Sequence, residues 1–173
     1  SMESTMDAIK LAVANGLTIV YDINYRKNLW GYGMEPHDVI FNMMQYSDIV
    51  FGDQNEWEVA SGVPHIPFVA TDDKCELDKD AYQEYFQKMH KLFPKCKKMI
   101  MALRNQLASS HHVLTGVLYD AVDGKLYTTK MYDIQPVVDP MGVGDAFVAG
   151  YIHAHQKWGD DNQYCLNFAL SAS

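Results

Sequence analysis

The chain has 173 residues, 48% of them apolar and 21% charged, and a formal net charge of −8 at pH 7. That length suits one domain, and the composition excludes a disordered or fibrous chain. The acidic balance excludes an extended polyanion such as nucleic acid as a partner, because such a surface needs a Lys/Arg excess. A small anion stays compatible with it, since a few main-chain amides and one or two arginines can hold one locally.

In chain order, Met6, Ile9, Leu11, Ala12 and Val13 mark a helix over 3–15 that Gly16 closes. The apolar, β-branched run 17–23 has little alternation and predicts a strand buried on both faces. Pro36 with Val39, Ile40, Met43 and Met44 predicts a second helix, 48–51 a second buried strand, and 56–60 a helix stopped at Gly62-Val63-Pro64. The polar stretch 65–79 reads as a surface loop. An amphipathic helix follows over 80–92, beginning in the solvated Asp78–Asp80 start; its Tyr82, Tyr85, Phe86 and Met89 stripe reads as core. A third buried strand is predicted over 98–103. Runs 113–119 and 125–131 flank Asp123-Gly124, a strong hairpin signal. A Gly-containing turn then leads into a long helix over about 145–158, and a last helix starts near Asp161.

Buried strands alternating with helices predict an α/β fold with a largely parallel sheet. Cys75, Cys96 and Cys165 include no CxxC pair and are odd in number. Neither a disulfide framework nor a zinc knuckle is expected, and a reducing, cytoplasmic setting fits them. The best apolar run, 11–21, is interrupted by Asn15 and Gly16, so no membrane partner is expected. Ser1-Met2 reads as a remnant of processing, with no signal peptide after it. The chain begins inside a βαβ unit and ends at 169–173 without a helix stop signal, so the expectation is a piece of a longer protein.

Four constellations carry chemistry. The strongest is Asp139-Pro140-Met141-Gly142-Val143-Gly144-Asp145-Ala146-Phe147-Val148-Ala149-Gly150. Two glycines let the backbone turn sharply, so that successive amides point into one concavity, and the helix that follows adds its N-terminal dipole. An aspartate at the mouth of such an anion site would repel phosphate, but it can take a proton from a hydroxyl that attacks it. The plainer reading is a Gly-rich turn with Asp145 as the helix N-cap.

The second constellation is Asp22-Ile23-Asn24-Tyr25-Arg26-Lys27-Asn28-Leu29-Trp30, beyond the carboxyl end of the first strand, where open α/β sheets place ligands. Arg26 can offer a planar fork to a carboxylate; taken alone, it reads rather as a salt-bridged structural residue. The third is Asn55-Glu56-Trp57-Glu58, where Asn55 as N-cap with Glu58 three residues on is close to a capping box. The fourth is the strand–loop run from Met99 through Arg104 and Ser109 to His111-His112. No carboxylate or third histidine stands at ligand spacing from the histidine pair, which reads as a loop feature.

Together these residues resemble the ribokinase-like (PfkB) carbohydrate kinases, over nearly the whole chain from Ser4 to Ser173. Asp139 to Gly150 is similar to the family signature D-T-x-G-A-G-D-x-F-x-A-G, with Val143 where Ala or Gly is usual. The resemblance implies Asp145 as catalytic base and the amides of Gly142, Val143 and Gly144 as an anion hole. D-x-N-Y-R-x-x-L-W resembles the 2-keto-3-deoxygluconate kinase branch, which implies Arg26 as a clamp on the acid-sugar carboxylate, with Asn24 near substrate or phosphate. It further implies Asn55 and Glu58 in the water shell of Mg²⁺, and Arg104 and Ser109 beside the nucleotide with Gly142 and Gly144.

The implied fold is a three-layer α/β/α domain with a mostly parallel central sheet. Residues 1–173 would be the C-terminal part of one kinase domain, with the N-terminal half and its small β lid lying outside the chain. The implied activity is ATP-dependent phosphorylation of a sugar acid, most simply 2-keto-3-deoxygluconate at its terminal hydroxyl. The full-length protein would perform it, as a homo-oligomer or alone, and the fragment by itself would be inactive. Such a fragment should also expose helix or sheet surface that the other half covers. Another sugar kinase of the family and a non-catalytic nucleotide-binding module remain open alternatives. A dinucleotide-binding oxidoreductase is disfavoured, because no G-x-G-x-x-G follows the first strand.

Overall fold

The computed structural model describes residues 2–159 and 161–173. Ser1, in the dipeptide read above as a processing remnant, lies outside the described residues. Helix α1 (Met2–Ala14) leads to strand β1 (Val20–Asp22), a 3₁₀ turn (Lys27–Leu29), α2 (Pro36–Met44) and β2 (Ile49–Phe51). Then come α3 (Gln54–Ser61), α4 (Lys79–Leu92), β3 (Lys98–Ala108), β4 (His111–Asp120), β5 (Lys125–Thr128), β6 (Tyr132–Ile134), α5 (Val143–Trp158) and α6 (Asn162–Ala172).

Among the described residues the strands form one sheet in the order β1-β2-β3-β4-β5, with β6 also paired to β4. Strands β1, β2 and β3 run parallel, whereas β4 is antiparallel to β3, β5 and β6. Alternation along the strands sends side chains to two helical layers, because successive Cβ atoms point to opposite faces. Val50, Met99, Met101 and Val117 meet Trp57, Phe86 and Met89 of α3 and α4. Ile49, Phe51, Ile100 and Leu118 meet Phe147, Tyr151, Leu166 and Ala169 of α5 and α6. Burying one such large side chain contributes about 1.5–3 kcal/mol. The result is the expected α/β/α sandwich.

Several elements differ from the sequence reading. The first strand shrinks to Val20–Asp22. Ahead of it, Ile19 N–H donates to the Asp48 side chain (2.9 Å) and Leu17 is 61% exposed. Leu11 and Val20 are exposed as well. The third strand is longer than 98–103, because β3 and β4 form a continuous hairpin closed by Ser109-Ser110, with an irregularity between Gln106 and Ala108. His111 and His112 are therefore in β4 and not in a loop. His111 pairs with Asp133 (2.6 Å) and His112 is buried. Strand β6 went unforeseen. It pairs Ile134 with His112, a non-local contact that no local pattern announces.

Helices α5 and α6 approach closely at Gly150. A Cβ there would stand 2.9 Å from Ala172 Cβ and 3.2 Å from Ala169 Cα, and the second neighbour is backbone, which cannot swing away. Gly150→Val is therefore expected to lower stability by about 1–3 kcal/mol through overpacking. Urea unfolding followed by circular dichroism reads this directly, and an unchanged midpoint would show that the helices separate freely.

Candidate active site

A cleft of about 510 Å³ opens beyond the carboxyl ends of β1 and β2 and along β3. Its walls come from three places: Asp22, Asn24 and Arg26 after β1; Asp53, Asn55 and Glu56 at the start of α3; and Pro140–Asp145 at the start of α5. Arg104 and Gln106 of β3 close one side.

The α5 end has the geometry that an anion site needs. Gly142 is the N-cap with φ 78° and ψ 1°, a left-handed conformation that glycine adopts without strain. Asp139 Oδ1 accepts from Met141 N–H (2.9 Å) and fixes the approach to the turn. No side chain caps this helix, and the first amides of a helix have no intrahelical partner. The N–H groups of Val143, Gly144 and Asp145 therefore open the helix at the cleft. A Cβ on Gly144 would meet nothing within 4 Å, so the space before these amides is open. Asp145 is the third helical residue rather than the N-cap, and it is exposed and lines the cleft.

On the opposite wall, Asn24 turns the chain with φ 44°, a left-handed conformation that asparagine tolerates better than most residues. Arg26 follows, exposed, and is absent from the ion pairs among the described residues. It is near enough to Asp22 to oppose the protonation of that carboxyl. Asp22 is nonetheless held above the usual carboxylate range, first by burial, then by the charge of Asp145, with Asp53 adding to it. Glu56 is also raised, mainly by burial.

No model of a protein family matches the chain. Two curated proteins named 5-dehydro-2-deoxygluconokinase, from two Clostridium perfringens strains, are 23% identical to it over all 173 residues. The chain spans 44% of their length. A solved PfkB family carbohydrate kinase from Listeria grayi is 26% identical with a TM-score of 0.78, matching 99% of this chain and 48% of its own. A solved 2-dehydro-3-deoxygluconokinase from Thermotoga maritima is 24% identical with a TM-score of 0.81, over 99% and 47% of the two chains. The chain is similar in sequence and fold to about half of a PfkB carbohydrate kinase.

On this fold the structure gathers most of the residues singled out in sequence. Asp145, Gly142, Val143, Gly144, Asn24, Arg26, Asn55 and Arg104 all line the cleft. Glu58 and Ser109 do not. Glu58 stands one turn farther into α3, where its Oε2 accepts from His65 N–H (3.0 Å) and meets His65 Nδ1 (2.5 Å). These contacts hold its carboxyl below the usual range. Ser109 lies in the two-residue turn at the far tip of the β3–β4 hairpin. The capping box is displaced as well: Asp53, not Asn55, is the N-cap, and it exchanges hydrogen bonds with Glu56 (2.9 and 2.8 Å). The D-x-x-E spacing of Asp53 and Glu56 was legible in the sequence as that signature. Asp22 and Gln106 fall within singled-out segments but were given no role there; the sheet brings them to the cleft.

The lining suits Mg²⁺ that arrives with a polyphosphate. Carboxylates of Asp22, Asp53 and Asp145 and the Asn55 amide supply hard oxygen donors. Among the described residues no group of three or more His, Cys, Asp or Glu side chains is placed to hold a metal by itself. Magnesium fits such a wall, since it takes one or two carboxylates and completes its shell with water and phosphate oxygens.

Proposed function

We propose that this chain is the C-terminal part of an ATP-dependent sugar-acid kinase of the PfkB type, with the sugar between Arg26 and Asp145. The carrying observation is that one cleft holds an uncapped, glycine-turned helix start with Asp145 in its first turn and, across from it, an arginine outside every ion pair of the described residues. The lengths of the relatives support the placement within a longer kinase domain.

In this reading the amides of Val143, Gly144 and Asp145 bind the oxygens of the phosphoryl group as charge develops on it. Asp145 accepts the proton of the attacking sugar hydroxyl. Arg26 receives the carboxylate in a two-pronged contact, and Asn24 offers a hydrogen bond beside it. Arg104 stands toward the nucleotide. Asp53 and Asn55 would face the magnesium, which, when bound, neutralises phosphate charge. The reducing setting inferred from the cysteines accords with a cytoplasmic enzyme. No helix among the described residues is long and apolar enough to cross a membrane.

The substrate is 2-keto-3-deoxygluconate in the first reading, supported by the Arg26 motif and by the name of the Thermotoga maritima structure. The names of the curated Clostridium perfringens proteins favour a second, 5-dehydro-2-deoxygluconate. A phosphotransfer screen of the full-length protein over both acids and over neutral ketoses decides between them. Arg26→Lys is expected to raise the KM for the acid by at least about tenfold and to leave that for ATP nearly unchanged, because lysine keeps the charge but loses the planar fork. Equal use of neutral ketoses and keto acids by the wild type would remove the carboxylate clamp.

A further inference from the structure

Glu56 sits where two walls of the cleft meet, and neither the general base nor the anion site requires it. Its Oε2 accepts from Asp53 N–H (2.8 Å), which alone would make it an ordinary capping residue. Its Oε1, however, accepts from Tyr25 N–H (2.8 Å), 31 residues earlier in the chain. Tyr25 lies between Asn24, whose φ is 44°, and Arg26, whose φ is −121°. The chain thus leaves β1, reverses at Asn24, and is caught at the next amide by a carboxylate from α3. Leu29 N–H then closes on Arg26 carbonyl oxygen (2.9 Å), which begins the 3₁₀ turn. Tyr25 and Trp30 pack against the core on either side, but the Arg26 side chain is exposed, so its place depends on the backbone that carries it.

We propose that Glu56 is a positioning residue of this site: its carboxylate ties the Asp22–Arg26 segment to the turn that opens α3 and so fixes where Asn24 and Arg26 stand. The inference rests on the reading of the cleft as a sugar-acid kinase site. A carboxylate suits the task because both of its oxygens accept. Glutamine presents one acceptor and one donor, and its NH₂ would face a main-chain N–H in one of the two positions. A hydrogen bond to a charged group is stronger than one between neutral partners, so its loss should be felt at the substrate.

The test is Glu56→Gln in the full-length protein, measured alone and combined with Arg26→Ala. Glu56→Gln is expected to raise the KM for the acid sugar by about tenfold, with that for ATP changed by less than about twofold. Because Glu56 acts through Arg26, adding Glu56→Gln to Arg26→Ala should change the acid-sugar KM by less than about threefold further. In the same variant the Tyr25 amide should exchange with solvent about tenfold faster, read by hydrogen exchange. A general loss of stability would instead add to the Arg26 effect and raise both KM values. Either that pattern or an unchanged acid-sugar KM in an active enzyme overturns the inference and leaves the kinase reading standing. Wild-type protein that phosphorylates no sugar acid overturns both. If Glu56→Gln does not fold, Glu56→Asp, one methylene too short to span both donors, is expected to give the same KM pattern, and wild-type values in it overturn the inference.

Discussion

Asp145→Asn in the full-length protein is expected to cut turnover by about 10²–10⁴-fold, the usual contribution of a positioned general base. Asparagine has the same shape and can occupy the same place in the first turn of α5, so the amides of Val143, Gly144 and Asp145 should keep their arrangement. It cannot take the hydroxyl proton. Nucleotide affinity should hold or improve slightly, since a negative charge near the phosphates is removed. Single-turnover phosphotransfer and nucleotide titration separate the two effects, and near-normal turnover would take Asp145 out of the mechanism. A second readout is available in Asp22. Its carboxyl is raised mostly by burial and secondly by the charge of Asp145, so its apparent pKa should fall in Asp145→Asn. Carboxyl-resolved NMR titration would follow it, and an unmoved Asp22 would mean that the two groups do not sense each other.

The second large effect concerns the frame behind the site. Lys98 at the start of β3 and Asp120 at the end of β4 form a buried ion pair at 3.4 Å, with side chains 7% and 8% exposed. Asn162 in the first turn of α6 joins them, accepting from Lys98 Nζ (2.5 Å) and donating to Asp120 Oδ2 (2.7 Å). Asp120 Oδ1 also accepts from Val122 N–H (2.8 Å). One network therefore fastens two strands to a helix of the other layer. Asp120→Ala removes the carboxylate that faces a buried ammonium and is expected to lower stability by about 3–5 kcal/mol. Replacing both partners, Lys98→Met with Asp120→Leu, should recover only part of that loss, because the desolvation of the charges disappears with them but the buried Asn162 amide is left without either partner. Urea denaturation of the single and double variants measures both. A loss under about 1 kcal/mol for Asp120→Ala would show that water reaches the pair and screens it.

The comparison of Glu58 with Glu56 shows where local reading ends. Both are glutamates on one short helix, and the family pattern selects Glu58. The structure turns Glu58 toward His65, seven residues later, and points Glu56 to the main-chain amide of Tyr25. Helical spacing fixes the angle between the two side chains but not which of them faces the neighbouring wall. That depends on where β1 and the loop after α3 are carried by the sheet.

The sequence by itself determined the elements whose signals are local. Gly142, Val143, Gly144 and Asp145 are consecutive, so their turn and the helix behind it follow from glycine chemistry and periodicity alone. The amphipathic stripe of α4, the Asp123-Gly124 turn, the alternation of helix and buried strand, and the proximity of Asn24 to Arg26 were legible for the same reason. Only the tertiary structure decided that β4 turns the sheet antiparallel, that β6 joins it, and that His112 is buried. It alone brought Asp22 beside Asp145 and Asp120 beside Lys98, and it set Ser109 away from the cleft. Each of these depends on pairings between residues far apart in the chain. Their partners are selected by the burial of whole faces and by hydrogen bonds across the sheet, and neighbouring residues carry no record of them.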